Sequence, residues 1–314
     1  MTGTVIKSTG SWYTVKSEGE IIPCRLKGRI RLDGIKNTNP VSVGDIVDFD
    51  IEEGEEQTGV IKKIHERDNY IIRKSVNLAR QTQIIASNLD QAILVVTLIF
   101  PKTFPRFIDR FLVTAEAYSI PSVIIFNKVD LYDEAVMDEL EFFELVYRSA
   151  GYKVLVTSVE TGEGLDKVKA ILKDKTTLLS GHSGVGKSSL INTLDNNLNL
   201  KTSKISATHD QGKHTTTFAE MFELSFGGSI IDTPGIRGFG LVDMEKEEIG
   251  DYFPEILDLK EHCRFNNCLH LNEPGCAVKE AVEENKLAFT RYESYLQFVE
   301  GDDDETYRKD IYEE

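Results

Sequence analysis

Two short runs restrict how this 314-residue chain can fold. Asn127-Lys128-Val129-Asp130 comes first, and Gly181-His182-Ser183-Gly184-Val185-Gly186-Lys187-Ser188 follows roughly fifty residues later. The second has the G-x4-G-K-S spacing of a phosphate-binding loop. The first has the N-K-x-D form of a guanine reader. In GTPases of the Ras kind the phosphate loop precedes the base reader, whereas here the order is reversed. The gap accommodates about one further strand–helix–strand unit, so both runs fit one sheet whose elements are threaded in rotated order. That order decides which mobile loop adjoins which neighbouring part of the chain.

The apolar pattern around the runs alternates strand and helix from about residue 71 to 240. Strands are expected at 92–97, 122–126, 152–156, 177–179, 221–225 and 229–231. Helices are expected at 106–118, 134–149, 165–172 and 187–194. Such alternation predicts a mostly parallel, doubly wound α/β sheet. Residues 1–70 instead offer five short strand patterns, at 5–8, 12–16, 21–26, 46–51 and 59–64, punctuated by glycines. Five strands in so short a span suggest a small barrel, the OB-fold first among them. Residues 241–314 read as helical and acidic. The expected division is therefore 1–70, 71–240 and 241–314.

The apolar run Ala92 to Phe100 is broken by Thr97 and is too short to span a bilayer. The first residues form no apolar signal core, so a cytoplasmic protein without membrane association is expected. The net charge of −16 argues against general nucleic-acid binding. Arg25, Lys27, Arg29, Arg31 and Lys36 nevertheless lie close together, opposed by Asp33, while acid collects at Glu52 to Glu56 and Asp302 to Glu305. Any one such run is ordinarily solvated surface.

Each residue of the phosphate loop has a task. Gly181, Gly184 and Gly186 let backbone N–H groups curl around an anion. The helix beginning near Lys187 offers its positive end. Lys187 reaches the β and γ oxygens, and the Ser188 hydroxyl suits Mg2+. Asp130 can accept from N1–H and the 2-amino group of guanine, donors that adenine lacks. Asn127 would bond the base edge, and the Lys128 stem would cover its face. Thr157-Ser158, after the next strand, fits the supporting loop.

Two further runs fit the switches of a nucleotide hydrolase. Asp232-Thr233-Pro234-Gly235 follows a strand, placing Asp232 toward Mg2+ and the Gly235 N–H toward the γ-phosphate. Gly212-Lys213-His214-Thr215-Thr216-Thr217 should supply one threonine to Mg2+, with Thr216 and Thr217 the candidates. Ras-type enzymes carry a water-orienting glutamine just after the switch glycine, and Ile236 stands there. Slow intrinsic hydrolysis is expected, with His214 either positioning the water or shaping the switch. The second switch runs within a few residues into the C-terminal region. Loss of the γ-phosphate is therefore expected to shift that region relative to the barrel.

Of four cysteines, Cys24 stands alone, and Cys263-x4-Cys268-x-His270-x5-Cys276 clusters. Three thiolates and one imidazole make a closed tetrahedral set for structural zinc, with His262 the alternative imidazole.

Taken together, these residues resemble the RsgA (YjeQ) family, circularly permuted GTPases that act in small-ribosomal-subunit maturation. The resemblance runs over essentially the whole chain. It rests on Cys24-Arg25-Leu26-Lys27-Gly28-Arg29, Val43-Gly44-Asp45, Asn127 to Asp130 and Gly184-Val185-Gly186-Lys187-Ser188-Ser189. It rests equally on His214 to Thr217, Asp232 to Gly235 and the Cys/His cluster. His182 departs from it, since the family more often has glutamine there. The resemblance implies an OB-fold barrel, a permuted GTPase domain and a zinc-bearing helical domain in a monomer. It implies docking near the decoding region, with GTP hydrolysis stimulated by the subunit and used for release. The run Arg25 to Lys36 is then where the barrel is expected to meet rRNA. A GTPase acting on tRNA or another RNA, and a binding module that only senses GTP, are the competing readings.

Overall fold

The computed structural model describes residues 1–27, 40–52, 57–74, 82–198, 200, 219–232 and 244–301. It begins with five strands: β1 (Thr2–Ser8), β2 (Tyr13–Ser17), β3 (Glu20–Leu26), β4 (Ile46–Glu52) and β5 (Thr58–Ile64). Their order is β1-β2-β3-β5-β4, and β4 pairs back onto β1, closing the barrel. β3 and β5 are parallel, whereas the other pairs are antiparallel. This is the small OB-like barrel that the strand spacing predicted. Alternate residues point inward, so Val5, Tyr13, Val15, Ile22, Cys24, Phe49 and Ile61 form its core.

A hairpin of β6 (Tyr70–Lys74) and β7 (Thr82–Ser87) follows, which the alternating α/β reading did not anticipate. Buried Asp45 ties it to the barrel. Its two oxygens accept from Arg67 Nε at 2.6 Å, Arg67 Nη2 at 2.7 Å, the Ser87 hydroxyl at 2.6 Å and the Ser42 N–H at 2.8 Å.

The central layer contains β8 (Gln91–Val96), α1 (Pro105–Ala117), β9 (Ser122–Asn127), α2 (Glu134–Ser149), β10 (Lys153–Thr157), α3 (Leu165–Leu172), β11 (Thr176–Ser180), α4 (Lys187–Leu194), β12 (Glu220–Glu223) and β13 (Ser229–Asp232). The sheet order β10-β9-β8-β11-β13 is parallel throughout, and β12 adds antiparallel to β13. α1 and α2 share one core with this sheet, while α3 and α4 share the other. Helices on both faces explain why β8 is buried at every position and reads as a continuous apolar run. β12 also meets β1 at Lys7 and Glu220, so one eleven-stranded sheet runs through the barrel and the α/β layer.

Four helices follow: α5 (Lys246–Ile249), α6 (Pro254–Lys260), α7 (Ala277–Glu283) and α8 (Phe289–Glu300). Ile249, Phe253, Ile256, Val278, Tyr295 and Phe298 form their core, which takes in Val113 from α1. Among the described residues, no helix is long and apolar enough to cross a membrane.

Candidate nucleotide and metal sites

The two diagnostic runs, separated in sequence, meet at the C-terminal ends of two parallel strands that flank β8. There, such sheets bind ligands. β11 delivers the glycine-rich loop, and β9 delivers Asn127. The Asn127 side chain is buried and donates from Nδ2 to the Val185 carbonyl at 2.9 Å, bonding base reader to phosphate loop. Gly186 makes that approach possible, because a Cβ there would stand 2.5 Å from Asn127 Nδ2. The Thr157 hydroxyl donates to Asn127 Oδ1 at 2.9 Å, and the Ser158 hydroxyl donates to Asp130. Thr157 and Ser158 therefore orient the Asn127 and Asp130 side chains.

Lys128 takes a left-handed conformation, with φ of 64°, which turns the chain out of β9. Its Nζ donates to the Phe100 carbonyl at 2.7 Å. Burial holds its ammonium below the usual lysine range, and Asp130 opposes that shift. In the phosphate loop, Lys187 Nζ donates to the Gly181 and His182 carbonyls at 2.6 and 2.9 Å. Burial likewise lowers the Lys187 pKa, against the nearby Asp232 carboxylate. An amine so placed is wrapped by backbone carbonyls of the glycine-rich loop. Gly181 passes close beneath, since a Cβ on it would lie 2.2 Å from the Val95 carbonyl oxygen.

Ser188 stands in the first turn of α4, and Asp232 ends β13, in register with Leu179 of β11. One hydroxyl and one carboxylate suit Mg2+, which keeps waters and takes its other ligands from phosphate. Bound there, the ion would neutralise charge on the phosphates. His214, Thr215, Thr216, Thr217, Thr233, Pro234, Gly235 and Ile236 lie outside the described residues.

Sequence reasoning missed part of the site. The Tyr132 hydroxyl donates to the Asn127 carbonyl at 3.0 Å and accepts from the Leu98 N–H at 2.8 Å. Burial pushes this phenol up to about 12, further from ionisation than an ordinary tyrosine. Phe100, Pro101 and Phe107, on the segment after β8, also adjoin the two runs. The available signal was their position just beyond a buried parallel strand.

Cys263, Cys268, His270 and Cys276 come together as one cluster, with ligand atoms all within 4.8 Å of one another. His270 Nδ1 lies 3.5 Å from Cys263 Sγ and 3.4 Å from Cys276 Sγ, and those two sulfurs are 4.0 Å apart. A tetrahedron with metal–sulfur legs near 2.3 Å has edges of about 3.8 Å, so the donor set fits a metal ion. Burial raises the Cys268 thiol to about 12 and raises Cys276, a state that a bound cation would reverse. His262 is exposed and outside the cluster.

Of the basic run, Arg25 pairs with Glu52 at 2.7 Å and Lys27 is exposed. Arg29, Arg31 and Lys36 lie outside the described residues.

A doubly wound sheet, a phosphate loop and an N-K-x-D turn joined by Asn127 define a P-loop GTPase with permuted element order. The RsgA GTPase family model matches residues 64–242, and the RsgA N-terminal domain model matches residues 2–61. A small ribosomal subunit biogenesis GTPase RsgA from Flavobacterium psychrophilum is 59% identical over 314 residues, covering 99% of this chain and 96% of that one. Its namesake from Christiangramia forsetii is 60% identical over 315 residues and covers all of both chains. Among solved structures, YjeQ from Thermotoga maritima superposes with a TM-score of 0.77 at 37% identity, covering 96% of this chain and 97% of its own. YloQ, described as a circularly permuted GTPase, gives 0.71 at 32% identity, covering 96% and 94%. The chain belongs to the RsgA GTPase family and is an enzyme that hydrolyses GTP.

Proposed function

We propose that this GTPase acts on the small ribosomal subunit late in its maturation, in the cytoplasm, as a monomer that binds rRNA and leaves upon hydrolysis. The observation that most supports a GTP-driven cycle is the Asn127–Val185 hydrogen bond, which makes one unit of base reader and phosphate loop. Near-full-length identity to proteins named for small-subunit biogenesis supports the target.

In this reading, Asp130, Asn127, Lys128, Thr157 and Ser158 hold guanine, and residues 181–189 hold the phosphates. Ser188, Asp232 and Thr216 or Thr217 hold Mg2+. Gly235 senses the γ-phosphate, and His214 orients water in place of the glutamine that Ile236 replaces. The working boundaries are 1–70 for the barrel, 71–240 for the GTPase domain and 241–314 for the helical domain.

The test is GTP turnover with and without purified small subunits. Turnover alone should be slow and should rise at least tenfold with subunits, since a supplied positioning group is worth about 10³-fold or more elsewhere. No stimulation would favour another RNA target or a GTP sensor. Reversing Arg25, Lys27, Arg29, Arg31 and Lys36 to Glu should abolish subunit binding while sparing GTP binding. Subunit affinity that survives this change would place the RNA contact elsewhere.

The metal is proposed to be one structural zinc ion, because three thiolates and an imidazole leave no open position. Cys268→Ser should lower zinc content from about one per chain toward zero and destabilise the C-terminal helices. Undiminished zinc in that variant would reassign the ligands.

A further inference from the structure

One helix touches both the phosphate loop and the C-terminal helices. At its first turn, the Phe107 ring stacks on the His182 ring with centroids 3.9 Å apart and planes 27° from parallel. Phe107 is 8% exposed. Just upstream, Pro101 packs beside Gly184, where a Cβ would stand 3.5 Å from the Pro101 Cδ. The adjoining positions of α1 face α8. Arg106 Nη1 donates to Gln297 Oε1 at 3.2 Å, Arg291 Nη1 donates to Asp109 Oδ1 at 2.6 Å, and the Arg110 guanidinium lies over the Phe298 ring at 5.8 Å.

A phosphate loop works through the placement of its backbone N–H groups, and its glycines give it little stiffness of its own. The ring of His182 is gripped from outside the loop, while its carbonyl holds Lys187 inside. Whatever fixes the ring therefore bears on where Lys187 stands.

We infer that the His182–Phe107 stack is a positioning pair for GTP hydrolysis. Through it, α1 and the C-terminal helices seated on α1 set the shape of the phosphate loop. This route enters the loop through a helix that follows β8. It rests on the GTP hydrolysis that defines the family; it adds Phe107 to that machinery and gives the His182 ring a task there.

The test uses the full-length chain with His182→Ala, Phe107→Leu, the double variant and His182→Tyr, which restores a ring. Each single change should lower kcat about five- to tenfold, as expected for one lost aromatic pair. The double variant should be no slower than either single, and His182→Tyr should stay within about twofold of the parent. The preference for GTP over ATP should not move, since Asp130 carries it. Hydrogen exchange of residues 291–300 should differ between a GTP analogue and GDP in the parent and cease to differ in Phe107→Leu. Wild-type kcat in the singles, or losses that multiply in the double, would overturn the proposal. A parent protein with no turnover under any condition would overturn the hydrolase reading instead.

Discussion

Asp130→Asn should cost GTP its preference over ATP by roughly 10³- to 10⁴-fold, as for sites built to pair with donors the competitor lacks. A carboxylate accepts twice, matching N1–H and the 2-amino group of guanine. An amide accepts once and turns its NH2 toward a donor. The effect should be specific to the base, because the scaffold for this residue stays in place. Asn127 is fixed by Val185 and Thr157, and Ser158 is held by the Thr161 N–H at 3.1 Å. Asp130 itself is exposed, and the amide oxygen that replaces its carboxylate can still accept from the buried Ser158 hydroxyl. Xanthosine triphosphate carries a carbonyl at C2, which accepts from the new amide, and it should become the favoured nucleotide. Competition binding of GTP, ATP and XTP to both proteins decides the matter. Retention of a hundredfold or greater preference for GTP over ATP in the variant would mean guanine is read elsewhere.

How much of this site could be read from sequence follows from how its contacts are spaced. β8 and β9 were legible because a parallel sheet covered on both faces demands continuous apolar runs. The bounds of α2, α3 and α4 came out as expected because their starts are locally encoded. Asp133 caps α2 by accepting from the Val136 N–H, and Gly164 and Gly186 precede the other two in left-handed conformations. The β6–β7 hairpin was missed because two short apolar strands carry little periodicity and sit where helix–strand alternation was expected to begin. The joining of barrel and α/β layer at Lys7 and Glu220 could not be read at all. Which edge strand finds which partner is settled by tertiary packing, not by local pattern. The same holds for Tyr132 and for Phe107 against His182. In each case, an ordinary aromatic residue becomes part of the site only when the chain is folded.

Arg291→Met should cost about 3–5 kcal/mol, as breaking one side of a buried ion pair does. Arg291 is 1% exposed, and its guanidinium is shared between two carboxylates on different elements. Nη1 donates to Asp109 of α1 at 2.6 Å, while Nε and Nη2 donate to Glu255 of α6 at 2.6 and 3.2 Å. The Phe253 ring lies 4.6 Å from its centre. Burial raises the Asp109 carboxyl above the usual carboxylate range, and Arg291 is the chief group opposing that rise. Without the cation the carboxyl should rise further. Its folded pKa then exceeds its unfolded one by more than in the parent, so the variant should recover stability as pH falls and lose it as pH rises. Arg291→Met with Asp109→Asn should regain part of the loss, because the fully buried carboxylate is gone and only Glu255, which keeps some contact with water, is left without its cation. Thermal melting and hydrogen exchange of residues 289–300, followed between pH 5 and 8, would show both effects. A variant within about 1 kcal/mol of the parent across that range would mean the three-way pair contributes little. An outcome of the expected size has a structural consequence. Well-packed apolar replacements often stabilise such a site as much as ions do, so the retained charges would serve to fix one pose of α6 and α8 on α1. A fixed pose is what α1 needs if its first turn is to hold His182, and with it Lys187, in place.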